Sequence, residues 1–533
     1  MKPYYIVVND PEHKVNVMDA LVADTGDATI PNRVVDVTPR DWSEHTFQAQ
    51  LTDEEAALVR NDPRISSVEV DPTIYGNIRV TPHGHRTGTF NNDPNNNASN
   101  QLNYGLDRST TSTNNFSTSY TSSDTDFSFN LDGKGVDVII MDTGVNAGHP
   151  EFAVNANGTG GTRVVNHDWT QYGIITNTPT GGFLGDCDGH GSNVASIVAG
   201  NTNGWAPNAS IYTLRCIGTG AATETDIQTG ATLGLLDILL SFETVRAFHL
   251  AKPTTSTGYR RPTIVNCSFG YNDYYYGVLT SVNYRGTTHA LTTTTGAGAT
   301  LYGTIGRGQN GDGSFGYRYN TVEAAITSCL QAGVIIVAAA GNNAHKIDLP
   351  TGADYNNYLI MPDLPGVQRP YHQGMTPSAV SGVICVGALD NIYTQYDAKA
   401  FFSCTGPRVD IFAPGVAIMG AFANQSYYKP AIQDSRNSAY YLNKISGTSQ
   451  ASPQVAGVAA CITQARPWMT NTDVLNFLKA VSLKGAMNQN ALVGNSYGFS
   501  STGTYTNLAS LQGANNYILQ QPFVSATPVY AGS

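Results

Sequence analysis

The chain has 533 residues, 41% of them hydrophobic and 13% charged, enough to bury a large core and to build more than one domain. Its formal net charge of −11 is spread along the chain without a basic stripe that would neutralise a run of phosphates, which excludes nucleic acid as an expected partner. The seven cysteines lie mostly in apolar runs such as VNCSF, VICVGA and AACIT, the pattern of buried thiols rather than of a disulfide framework.

Residues 1–75 read as a small α+β unit. YYIVV, VVDV, TFQAQL and ISSVEV have the lengths and composition of short strands, and DEEAALVRNDP reads as a helix capped by Thr52. The opening MKPYYIVVND has only a three-residue aliphatic run, too short for the core of a Sec-type export signal, so a cytoplasmic or particle-associated protein is expected. From about 76 to 130 the composition shifts to Asn, Thr, Ser and Gly, with too little apolar area to fold alone. That stretch is expected to be a linker or surface wrap, the linker proper being 76–103.

A long region, 104–490, then alternates strand and helix: VDVIIMD, the helix after His190, ASIYTLR, the segment 225–251, TIVNCSF, TVEAAITSCLQAG and VIIVAAA. In the helix 321–332, Val322, Ala325, Ile326, Cys329 and Leu330 fall on one face. The alternation predicts an α/β fold with a mainly parallel central sheet covered on both sides. Two interruptions, at about 271–320 and 343–380, read as surface excursions, and 491–533 as a weakly structured, low-complexity tail. The most apolar run, VIIVAAA at 334–340, is far too short to span a bilayer, so no membrane segment is expected.

Four residues carry possible chemistry. In DVIIMDTG an apolar strand delivers Asp142 at its carboxyl end, where parallel α/β sheets place functional groups. In DGHGSNVASIVAG, His190 stands between two glycines at the start of an apolar helix, and in VIIVAAAGNNA, Asn342 follows a buried strand and a glycine. In ISGTSQASPQVAG, Ser449 opens an apolar helix among small residues. Each alone has a plain structural reading as a cap, turn or packing residue. Together they supply what a serine nucleophile requires: a base to take its proton, an orienter for that base, and donors for an oxyanion. Their order, Asp, His, Asn, Ser, excludes an α/β-hydrolase, which runs Ser, Asp, His around G-x-S-x-G; here the second residue after Ser449 is Ala451. Cys187, in GDCDGHG, is read as a bystander rather than a nucleophile.

These segments resemble those of the subtilisin-like serine proteases, the proteinase K branch in particular. NYGLDR at 103–108, NCSFG, FFSCTGPRVDIFAPG and PWMTNTDVLNFL follow in the family's order. The resemblance implies a three-layer subtilisin-like fold and a serine endopeptidase acting on polypeptides, with Asp142 as orienter, His190 as general base and acid, Ser449 as nucleophile and Asn342 as oxyanion donor. It implies a cleft lined by Ser268, Phe269 and Gly270 on one side and by Ala339, Ala340 and Gly341 on the other, pairing with an extended peptide. Residues 1–75 resemble the family's inhibitory propeptide, which implies self-cleavage within 76–103 and a released segment that stays bound as inhibitor. A structural calcium ion is a further family expectation, at Asp410 with carbonyls near Ser381 and Val383; no organic cofactor is expected. The chain departs from the family at Gln450 and Gln454, where Met and His are usual, at Ser192 and Asn193 in the histidine motif, and at Tyr271, where a second glycine is usual. A different class, a structural or virion-associated protein keeping a protease scaffold with little turnover, is suggested by the Asn/Thr/Tyr-rich inserts and tail.

Overall fold

The computed structural model describes residues 1–23, 26–39, 43–70, 84–93, 101–114, 116, 122–186, 188–217, 235–256, 258–274, 281–290, 314–360, 366–391, 397–422, 432–487 and 511–521. It divides into two units, Met1–Thr81 and Pro82–Ser533.

In the first unit, strands Val37–Pro39, Thr46–Leu51, Lys2–Val8 and Ile65–Val70 lie side by side in that order, with antiparallel pairing. Period-2 alternation buries Tyr4, Ile6 and Val8 and, on the neighbouring strand, Phe47, Ala49 and Leu51. The helix Asp53–Val59 begins as expected: Thr52 accepts from the Glu55 N–H, and the Glu55 carboxylate accepts from the Thr52 N–H. A second helix, Glu12–Ala23, was not anticipated; its short apolar face buries Val17 and Leu21. The unit has its own hydrophobic core. The expected strand VVDV begins only at Val37, although Val35 is buried.

The second unit is built on an eight-stranded sheet. Its strands are β1 (Asp137–Asp142), β2 (Ser210–Arg215), β3 (Thr263–Cys267), β4 (Ile335–Ala339), β5 (Ile384–Leu389), β6 (Ile411–Pro414), β7 (Leu483–Lys484) and β8 (Tyr517–Ile518). They run in the order β7-β8-β6-β5-β4-β3-β1-β2, every pair parallel except β7 with β8. Strands buried on both faces read as continuous apolar runs because alternate residues enter different cores. Val138 and Ile140 of β1 join one core, with α1 (His190–Ala199) and α4 (Thr448–Ala465). Ile139 and Met141 join the other, with α2 (Ile238–Ala251) and α3 (Asn320–Gln331). A further helix, α5 (Asn471–Val481), adds Val474 and Leu478 to the first core. This is the three-layer α/β architecture expected.

Three expectations about the periphery need correction. Within the 76–103 linker, Gly84–Asn91 is a strand paired antiparallel with Ser122–Phe129. Its Phe90 and the partner's Phe127 are buried in the first core, so composition missed a ribbon held by a few well-spaced aromatics. The two inserts are not separate excursions: Ser281–Tyr284 and Thr287–Ala290 form a hairpin that continues into Tyr358–Ile360 and Gln368–Pro370 as one four-stranded sheet. The tail also returns. Tyr517–Ile518 is a main-sheet strand, with Leu511, Ile518 and Leu519 buried; two strand residues are too few for any periodic signal. Six cysteines, Cys216, Cys267, Cys329, Cys385, Cys404 and Cys461, are buried and free; Cys187 lies outside the described residues. Among the described residues no helix is long and apolar enough to cross a membrane.

Candidate active site

Asp142 is the last residue of β1, fully buried at the carboxyl edge of the sheet. Its Oδ1 accepts from the Thr143 N–H at 2.8 Å and from His190 Nδ1 at 2.7 Å. In the neutral imidazole that second bond assigns the proton to Nδ1 and leaves the lone pair on Nε2. The approach is close enough to require glycine on both sides. A Cβ on Gly191 would lie 2.1 Å from the Gly144 carbonyl oxygen, and one on Gly144 would lie 1.9 Å from that of Gly185. Asp186 fixes the turn before α1: its carboxylate accepts from the Thr143 hydroxyl and from the N–H groups of Asp188, Gly189 and Ser192. About a quarter of the His190 side chain is exposed (24%). Burial pushes its pKa down, but attraction to Asp142, their hydrogen bond, and the charges of Asp188 and Asp186 outweigh burial and raise it to about 9. Burial and the nearby Asp186 in turn hold Asp188 above the usual carboxylate range.

Ser449 is the second residue of the 18-residue helix α4. α1 and α4 pack on each other in one core, and Gln450, next to Ser449, donates to Asn193, one turn after His190, at 3.3 Å. Ser449 Oγ donates to the Ser268 carbonyl at 2.9 Å rather than to the imidazole, and Ser268 Oγ donates back to the Ser449 carbonyl at 2.8 Å. The amide N–H groups of a helix's first turn have no intrahelical acceptor and carry its positive end, which makes this end favourable for an anion. Asn342 is exposed beside it. Its Oδ1 is pinned by the Thr448 N–H and the Thr448 hydroxyl, both at 2.9 Å, which turns the Nδ2 donors away from Thr448.

A model of the subtilase family matches residues 133–514, a span that contains Asp142, His190, Asn342 and Ser449. The chain belongs to the subtilase family. Its curated relatives include alkaline serine exoprotease A of Vibrio alginolyticus, 25% identical over 424 residues (80% of this chain, 52% of the relative). The extracellular serine proteinase of Thermus sp. strain Rt41A is 25% identical over 432 residues, 80% of this chain and 68% of the relative. Alkaline protease 2 of Aspergillus fumigatus is 25% identical over 353 residues, 66% of this chain and 49% of the relative. Against several of these relatives the chain spans only about half of their length. A solved cold-adapted subtilisin-like serine proteinase matches at 21% identity over 78% of this chain and 97% of its own, with a TM-score of 0.43.

The residues expected to line a cleft lie at the carboxyl ends of two neighbouring strands. Ser268, Phe269 and Gly270 follow β3; Ala339 ends β4, with Ala340 and Gly341 after it. Sequence reasoning missed Met375, from the second insert. A Cβ on Gly270 would lie 2.2 Å from the Met375 sulfur, and one on Gly341 would lie 2.9 Å from Met375 Cε, so this thioether fills the space between the two segments. Thr448 and Asp186 were also missed, since each acts through contacts distant in sequence. Three of the departures from the family pattern, Gln450, Asn193 and Gln454, are buried and hydrogen-bonded. Gln450 bonds Asn193, and Gln454 Oε1 accepts from Trp205 Nε1 at 2.6 Å and from Asn103 Nδ2 at 3.0 Å.

The residues named for calcium do not fit the ion. Val383 and Asp410 do converge, but Val380 rather than the exposed Ser381 supplies the second carbonyl, and a guanidinium lies among them. Arg408 Nη2 donates to the carbonyls of Val380 and Val383, each at 2.7 Å, and Nη1 donates to Asp410 Oδ2 at 2.8 Å. Lys479 Nζ takes Asp410 Oδ1 at 2.9 Å. Calcium takes six to eight oxygen ligands; here both carboxylate oxygens already face cations. Among the described residues no three His, Cys, Asp or Glu side chains converge on a common point.

Proposed function

We propose that this subtilase is a serine endopeptidase that hydrolyses peptide bonds through an acyl-enzyme on Ser449. The observation that carries the reading is the 2.7 Å Asp142–His190 bond, which orients the ring so that Nε2 of the neutral imidazole is left to act as a base. The Ser449 hydroxyl turns from the Ser268 carbonyl toward His190, gives its proton to Nε2, and forms a bond from Oγ to the substrate's carbonyl carbon. The negative charge that develops on the carbonyl oxygen is met by the Ser449 N–H and Asn342 Nδ2. As the C–N bond breaks, His190 returns the proton to the leaving amine. Water then attacks the ester, its proton passing to Nε2 and back to Ser449 Oγ, which releases the acid. Asp142 holds the tautomer and balances the imidazolium. An extended substrate pairs with the Ser268–Gly270 and Ala339–Gly341 segments. The order of motifs NYGLDR, NCSFG and PWMTNTDVLNFL supports a place nearest the proteinase K branch.

The first unit acts as propeptide and inhibitor, a reading supported by its independent core and its position before the catalytic unit. Self-cleavage falls between Tyr75 and His83, because from Gly84 onward the chain is paired into the second unit and a cut there would tear the ribbon. Cleavage of a tethered segment is intramolecular, which gives it a high effective concentration. The test is to express wild type and Ser449→Ala side by side, weigh both, and assay peptide hydrolysis. Wild type should lose an N-terminal piece and turn over peptides. Ser449→Ala should stay intact and lose about 10⁶ in kcat, a magnitude measured in subtilisin. Equal activity in the two proteins contradicts the role of Ser449; a wild type that is active but uncut contradicts the propeptide role alone.

A further inference from the structure

Asp410 precedes β6, and Val380 and Val383 precede β5, so their cluster sits at the amino edge of the central sheet, opposite the candidate active site. Two backbone carbonyls and a carboxylate converging on one point concentrate negative charge and need a positive partner when largely buried. We propose that Arg408, assisted by Lys479, is a tethered substitute for a metal ion here, so that this corner of the fold is held without calcium. Each oxygen of the cluster is satisfied. Val380 and Val383 each accept from one Arg408 nitrogen, Asp410 Oδ2 accepts from Arg408 and from the Cys385 N–H at 3.0 Å, and Oδ1 accepts from Lys479. The planar fork suits this, since its N–H groups reach two carbonyls and a carboxylate at once. The cluster also closes a register: the Asp410 N–H donates to the Cys385 carbonyl at 3.0 Å while the Asp410 side chain takes the Cys385 N–H. β5 and β6 are thus clamped at their start by side chains belonging to the chain itself. A doubly charged ion entering the cluster would meet two cations where only one carboxylate offsets them, and the guanidinium occupies the space between the carbonyls.

The proposal is tested on the full chain in a Ser449→Ala background, which prevents self-digestion, by reading thermal unfolding midpoints in EDTA and in millimolar calcium. Arg408→Ala removes the guanidinium and leaves two carbonyls and Asp410 facing an open site. It should melt about 3 °C or more below its parent in EDTA, and calcium should raise its midpoint by more than it raises the parent's. Arg408→Lys keeps a charge but loses the fork, so its midpoint in EDTA should fall between the two. Equal calcium increments in the parent and Arg408→Ala overturn the proposal. If Arg408→Ala does not fold, the parent decides: a calcium increment that Asp410→Asn abolishes would place the ion where the guanidinium is assigned.

Discussion

At the carboxyl edge of the central sheet Asp142 holds His190; at the amino edge Asp410 holds Arg408 and Lys479. The geometries are similar, with oxygen–nitrogen distances of 2.7 Å in the first pair and 2.8 and 2.9 Å in the second. The difference lies in the cation. An imidazole can be emptied of its proton and refilled within the range of ordinary pH, and its second nitrogen is left for a substrate or a nucleophile. A guanidinium is a permanent cation, and Nη1 and Nη2 of Arg408 are directed at fixed oxygens. One aspartate therefore holds a group that can titrate, and the other holds permanent charge between two strands.

The contrast is broken most sharply by swapping the same lesion between the two edges. Asp142→Asn should lower kcat by about 10⁴, because the imidazole loses its orienting acceptor and its tautomer, with the melting temperature little changed. Asp410→Asn should do the reverse, lowering the melting temperature with kcat retained. On the active-site side the series continues with Asn342→Ala, which leaves the Ser449 N–H in place and should cost about 10² to 10³ in kcat. A raised KM with unchanged kcat would make Asn342 a binding residue only.

A smaller effect concerns pH at the carboxyl edge. The His190 pKa is raised from 6.5 to about 9, so the imidazolium persists to higher pH, and a protonated imidazole is no base. The ratio kcat/KM should therefore climb with pH toward a midpoint near 9. Stability runs the other way: a raised folded-state pKa contributes fully below 6.5 and is lost as pH rises through about 9. Asp188 is one of the charges that raise the His190 pKa, so Asp188→Asn should move the activity profile to lower pH and raise activity at pH 7, by less than about tenfold for a shift under one unit. A profile that stays in place would show that Asp188 does not act on His190.

Much of the site was legible because each of its groups ends a local pattern. Asp142 closes an apolar strand, His190 and Ser449 open apolar helices, and Asn342 follows a strand and a glycine. The central sheet was legible for the same reason, as runs such as VDVIIMD and VIIVAAA are confined to one element. What was missed acts across the sequence. Thr448 orients Asn342 from 106 positions away, Ser268 holds Ser449 from 181 away, and Met375 reaches the cleft from an insert read as a surface excursion. The residues named for calcium show the same limit: Asp410 was visible in VDIFAPG, but that Arg408 reaches it together with the carbonyls of Val380 and Val383 is decided only by packing. Tyr517–Ile518 shows the limit for strands, since two residues pair in the main sheet on the strength of what they meet rather than of any pattern they carry.

The most direct measurement of the central claim is covalent labelling by a fluorophosphonate probe, which reacts with a serine only when a neighbouring base and an oxyanion site activate it. Matured wild type should take up one probe per chain, the adduct should map to Ser449, and Ser449→Ala and His190→Ala should take up none. Labelling that persists in Ser449→Ala, or a matured wild type that takes up no probe, would contradict the assignment of Ser449 as nucleophile.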